Sequence, residues 1–156
     1  MKKKLNYKGI ILAGLISFLI NMMVGNALWM NPYVKGVFEN FLGHPSLKPV
    51  EQMGGLSNFL LLTFGFGLIL IIFFIYLYVV LYNGIPGTNW FNKGLFFGLM
   101  LASIKAVPES FNQWTVLNYP DILIIIQLIN TIIILVLFGI YLAFFIKIFK
   151  GIQYEN

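Results

Sequence analysis

The chain of 156 residues contains no cysteine, no arginine and a single histidine. Without cysteine there are no disulfides, thiolate nucleophiles, iron–sulfur clusters or Cys-type zinc sites, and the redox compartment leaves no mark on the sequence. One histidine excludes a multi-His metal site within one chain. All the basic residues are lysines, so the bidentate guanidinium clamps that grip phosphates and carboxylates are missing. Charge is scarce: 10% of residues are Asp, Glu, Lys or Arg, against about a quarter in an ordinary soluble domain. The chain also lacks HExxH, GxSxG and a Walker loop. No metal and no cofactor is expected.

What is present is grease. Hydrophobic residues make up 60%, aromatics 17%, and the mean hydropathy is +0.89, which excludes both disorder and a water-soluble exterior. Four apolar stretches, over about 8–29, 56–82, 91–110 and 122–149, are each able to cross a hydrocarbon core that needs roughly 20 residues of helix. They are continuously apolar, without the alternation of barrel strands. The expected fold is therefore an all-α membrane protein, a four-transmembrane-helix bundle forming one integral membrane domain.

The net charge of +5 belongs to a membrane rather than to nucleic acid. Lys2, Lys3, Lys4, Lys8, Lys93, Lys147 and Lys150 fall on the side of both termini and the short second loop. Lys35 and Lys48, beside Glu39 and Glu51, fall in the first loop, and Asp121 in the third. The positive-inside rule then predicts both termini in the cytoplasm, in a prokaryotic inner membrane, with the first and third loops outside. The Lys-rich start and apolar run, with Gly25-Asn26-Ala27, also have the form of a secretory signal. The run is longer than a signal core, so we expect a retained first span.

The first loop is the long one. Asn31-Pro32 is a helix start and Gly43 a stop, and Val34, Val37, Phe38, Phe41 and Leu42 recur at helical spacing opposite Lys35, Glu39 and Asn40. The pattern predicts a short amphipathic helix over about 32–43 lying at the outer interface, either as a connector or as a lid. Asn83-Gly84-Ile85-Pro86-Gly87 is a turn. His44 is expected to be a solvated loop residue. A faint echo links Lys8-Gly9, Ala13 and Trp29 with Lys93-Gly94, Gly98 and Trp114; it fits a duplicated hairpin, or simply Lys and Trp anchoring at two interfaces.

The polar residues are graded in depth. Asn21 and Asn26 lie toward the outer end of the first span. Ser57, Asn58 and Thr63 open the second, Ser103, Lys105, Glu109 and Asn112 close the third, and Asp121, Gln127, Asn130 and Thr131 open the fourth. The inner halves, such as 68–74 and 132–146, are apolar apart from Tyr141. Polar groups in hydrocarbon turn toward the bundle interior or toward water. The candidate ligand-binding residues are thus Asn21, Asn26, Lys105, Glu109, Asn112, Gln127 and Asn130. They line an outward pocket or, on the plainer alternative, hydrogen-bond helices together. Lys105 and Glu109 are four apart, on one helix face. Pro108 between them is expected to kink or end that helix. The pair fits a snorkelling lysine with an interfacial partner, or a seat for an anionic group.

Lys8-Gly9…Gly14-Leu15 with Asn21, and Lys93-Gly94…Gly98-Leu99 with Pro108, resemble a type of small, uncharacterised four-span prokaryotic membrane protein with a Gly-Leu-rich first helix. The resemblance implies a four-helix inner-membrane fold and carries no activity. The leading expectation is a non-enzymatic membrane protein, an accessory subunit or small binding protein. Its partners would be lipids and other membrane subunits or copies of itself. A small oligomeric carrier or channel is the alternative, and an intramembrane enzyme acting on a lipid headgroup the third.

Overall fold

A computed structural model describes residues 2–155. It runs β1 (Lys2–Leu5), α1 (Tyr7–Trp29), α2 (Pro32–Glu39), a 3-10 turn (Val50–Met53), α3 (Gly55–Leu81), α4 (Trp90–Thr115), α5 (Asp121–Ile148) and β2 (Ile152–Glu155). α1, α3, α4 and α5, of 23 to 28 residues, are each long and apolar enough to cross a membrane. Such segments adopt helices because hydrocarbon offers no partner for a free N–H or C=O, and a helix satisfies both internally.

Asparagine starts three of the five helices. The side-chain oxygens of Asn6, Asn31 and Asn89 accept from the backbone amides of Gly9, Tyr33 and Asn92 at 3.2, 2.9 and 2.8 Å, filling donors a helix cannot satisfy itself. Pro32 then occupies the first helical position of α2. α2 ends at Glu39, shorter than the expected 32–43, so Leu42 lies beyond it and is exposed. Val34 is its buried residue, and Phe38 meets the Trp29 ring edge-on at 5.6 Å. Pro108 does not end α4, which continues to Thr115. The proline leaves the Ile104 carbonyl without its helical donor, a loss a long helix absorbs when its neighbour packs closely.

α5 is the hub, packed on α4 along its length and on α1. Its contact with α4 is set by glycine. A Cβ at Gly94 would stand 2.7 Å from the Gly139 carbonyl, and one at Gly98 would stand 2.6 Å from the Val136 Cα. The core toward the termini is aromatic: Tyr78 meets Phe97 edge-on at 4.9 Å, and Phe74 lies 6.1 Å from Phe138. α3 is the outlier, bare over most of its surface, with Phe66 and Ile69 70% and 65% exposed.

The expectation of a purely helical chain needs one addition. β1 and β2 pair antiparallel, Lys2 opposite Glu155 through Leu5 opposite Ile152, and the Asn6 amide donates to the Gly151 carbonyl at 2.9 Å. The two ends of the described chain are thereby fastened at one end of the bundle, with the α3–α4 turn beside them.

Candidate functional site

Away from the termini, between α1, α3, α4 and α5, lies a cavity of about 290 Å³. Asn21, Asn26 and Trp29 of α1, Thr63 of α3, Lys105 of α4 and Thr131 of α5 surround its upper part. Phe18, Ile71, Phe74 and Leu135 line it deeper in the bundle. From Thr63 to Phe74 the wall of α3 descends about 16 Å at 1.5 Å per residue, passing from a hydroxyl to a phenyl ring. The volume is at the lower edge of the range for small-molecule pockets, about 300–1,000 Å³. Trp29 belongs both to the cavity wall and to the contact with Phe38, so α2 sits against its mouth.

Lys105 is fixed by its own helix. Its Nζ donates to Glu109 Oε2 at 2.7 Å, a pair placed by the one-turn spacing of α4. Gln127 of α5 donates through Nε2 to Glu109 Oε1 at 3.2 Å. Glu109 thus spends both oxygens, one within α4 and one across to α5, and the local charge is neutral. Lys105 and Glu109 are 35% and 39% exposed, so the attraction is worth well under a buried pair's. The arrangement orients the ammonium beside the cavity more than it stabilises the fold.

Three further amides carry open valences, Gln113 Oε1 of α4 and two that the sequence marks as candidates. Asn21 Oδ1 and Asn130 Nδ2 are buried without a hydrogen-bond partner among the described residues, and Asn130 is 7% exposed. Buried polar atoms of this kind are normally met by water or by a ligand. Ser17, Ser103 and Thr115 are spent, their hydroxyls donating to the carbonyls of Ala13, Leu99 and Phe111.

The seven expected site residues therefore divide. Asn21, Asn26 and Lys105 line the cavity. Glu109 and Gln127 reach it only through Lys105, by the hydrogen bonds just given. Asn130 is buried in α5 without lining it, and Asn112 is exposed on α4. Thr63 and Thr131 complete the polar wall; their depth was legible, but a lone Thr in an apolar helix does not reveal which way it turns. Trp29, whose place at the end of the first span marks it as an interface anchor, also lines the cavity.

Outside the spans, Ser46 Oγ donates to the carbonyls of Leu117 and Asn118 at 2.7 and 3.1 Å. This ties the long first loop to the α4–α5 loop. His44 Nδ1 accepts from the Ser46 amide at 3.3 Å and so orders the same turn. Compared with known proteins, the chain matches no family model, no curated protein and no solved structure.

Proposed function

We propose that this chain is an integral membrane protein with both termini in the cytoplasm that binds a small, partly polar ligand in a cavity open toward the outside, and that it acts as a binding protein or accessory subunit rather than as an enzyme. The observation that carries the reading is the cavity itself, polar above and apolar below, with the Lys105 ammonium held at its wall and an orphaned Asn21 oxygen beside it. Such a gradient suits an amphiphile whose hydrogen-bonding end stays near the surface while its apolar end enters the bundle. The lysine distribution supports the orientation. The bare face of α3 suits lipid or a neighbouring membrane subunit equally well.

The absence of cysteine makes the test clean. Single variants Asn21→Cys and Thr131→Cys, treated in intact cells with a membrane-impermeant maleimide, should label from outside, whereas Thr88→Cys should label only after permeabilisation. Labelling of Thr88→Cys alone in intact cells would invert the topology and end this reading. Native mass spectrometry of the wild-type chain then asks for a co-purifying small molecule or subunit, and for its loss in Lys105→Met.

A further inference from the structure

Charge divides sharply between the two ends of the molecule. Lys2, Lys3, Lys4, Lys8, Lys93, Lys147 and Lys150 share the end where β1 meets β2 with one acid, Glu155, a net of +6. The other three lysines, Lys35, Lys48 and Lys105, stand with Glu39, Glu51, Glu109 and Asp121, a net of −1. Cations on this scale at one face attract anionic surfaces, and the structure gives them a shaped place to act.

At that end a second cavity, of about 390 Å³, opens between the α3–α4 turn, the last turn of α5 and β2. Thr88, Asn89, Lys147, Lys150 and Gln153 supply its polar lining. Ala143, Ile146 and Ile152 supply an apolar one, with Trp90 at the side. Ala143 lies one turn deeper in α5 than Lys147, about 6 Å, so the cavity passes from ammonium to hydrocarbon along the bundle axis. Below it Trp90 packs on the exposed Phe144 at 5.1 Å.

The lysines around it have different employment. Lys93 is committed: its Nζ donates to the carbonyls of Tyr82 and Ile85 at 2.8 and 3.0 Å and lies 4.6 Å from the Tyr82 ring. Lys147 stands 6.0 Å over Trp90. Neither its ammonium nor that of Lys150 has a hydrogen bond or ion pair among the described residues. Lys150 is also held in an unfavourable conformation. α5 ends with the Lys150 amide donating to the Lys147 carbonyl and the Gly151 amide donating to the Ile146 carbonyl. This closure puts residue 150 at φ +49, a position that favours glycine. The adjacent glycine is displaced by one, since Gly151 packs against Ile10 with no room to spare. A lysine kept where glycine would be easier points to a use for its side chain.

We infer that this cavity seats the headgroup of one anionic phospholipid of the adjacent leaflet. The phosphate sits between Lys147 and Lys150, Thr88 and Gln153 donate to its oxygens, and the chains descend past Ala143 and Phe144. Basic pockets at the membrane boundary recognise lipids by this combination of ammonium groups over an apolar wall. The site is separate from the outward cavity and stands or falls without it.

The test uses the full chain in mild detergent, loaded with phosphatidylglycerol or phosphatidylcholine and read by native mass spectrometry. Retention of phosphatidylglycerol should exceed that of phosphatidylcholine and fall about 5-fold for each lysine removed in Lys147→Gln and Lys150→Gln. Thr88→Val should lower it less, without any change of charge. The pair Lys35→Gln with Lys48→Gln, an equal charge change at the other end, should leave it unaltered. Thermal midpoints in lipid-free detergent report folding, and Lys150→Gly separates the roles: it should raise the midpoint while lowering retention. Undiminished retention in the Lys147 and Lys150 variants would overturn the proposal, as would an equal loss in the Lys35 and Lys48 pair. Displacement of the lipid by millimolar inorganic phosphate would overturn it too, by assigning the cavity to free phosphate.

Discussion

The α4–α5 pair and the α1–α3 pair both rely on glycine, and they use it differently. In α4–α5 the glycines face backbone: a Cβ at Gly139 would strike the Gly94 carbonyl and stand 2.7 Å from the Gly98 amide. In α1–α3 they face side chains: a Cβ at Gly14 would strike the tip of Ile75, and one at Gly67 would stand 3.7 Å from the Phe18 ring. Lipid gives helices no hydrophobic reason to associate, so close backbone approach has to supply the attraction. The first pair has it and the second does not. The cavity beside Lys105 lies between the two pairs, with one closely packed wall that carries Lys105 and another, more loosely packed, that bears Asn21 and Thr63. A duplicated hairpin would make the pairs equivalent, and in their packing they are not.

Breaking the rigid pair should produce the largest effect. Gly98→Val forces a branched side chain into the Val136 and Leu135 backbone, and should cost about 3 kcal/mol or prevent stable folding. Thermal unfolding in detergent, together with the size-exclusion profile, checks it; a well-folded variant within a few degrees of wild type would dissolve the contrast. Next comes Glu109→Ala, which removes the hydrogen bond from Gln127 and the partner of Lys105. About 1 kcal/mol is expected, the pair being partly exposed, again by thermal unfolding. The accompanying sign is a freed Lys105, read as faster amine acetylation by mass spectrometry. The smallest effect belongs to Gly14→Ala. Ile75 can rotate away and alanine favours helix, so the stability change should stay under about 1 kcal/mol; a loss as large as that of Gly98→Val would mean that α1–α3 is as tight as α4–α5.

Long apolar runs made the four spans legible, because a continuous greasy stretch has one stable form in lipid. Asn31-Pro32 likewise announced the start of α2, since both residues act locally. Pro108 leaves the choice between a kink and an end open, because its local effect is only the loss of one donor, and of the two the end does not occur: α4 runs on to Thr115. The β1–β2 pair was invisible, because Lys2–Leu5 carries no strand periodicity, the alternation of Ile152–Glu155 is only four residues long, and the two meet only once everything between them has folded. At the site, spacing along one helix made Lys105 and Glu109 legible together. The reach of Gln127 across to Glu109, the outward turn of Asn112 and the inclusion of Thr63 and Thr131 depend on the rotation of whole helices. One sequence does not encode that in any short pattern.

The fastening of β1 to β2 has a consequence for biogenesis. β1 precedes all four spans in the chain and β2 follows them, so the clasp can close only after every span has been made. Closure therefore reports completion: a product that stops before β2 leaves the edge of β1 unpaired. A tag joined next to Lys2 or Glu155 would arrive beside that clasp, near the basic cavity, and would be best joined through a long spacer.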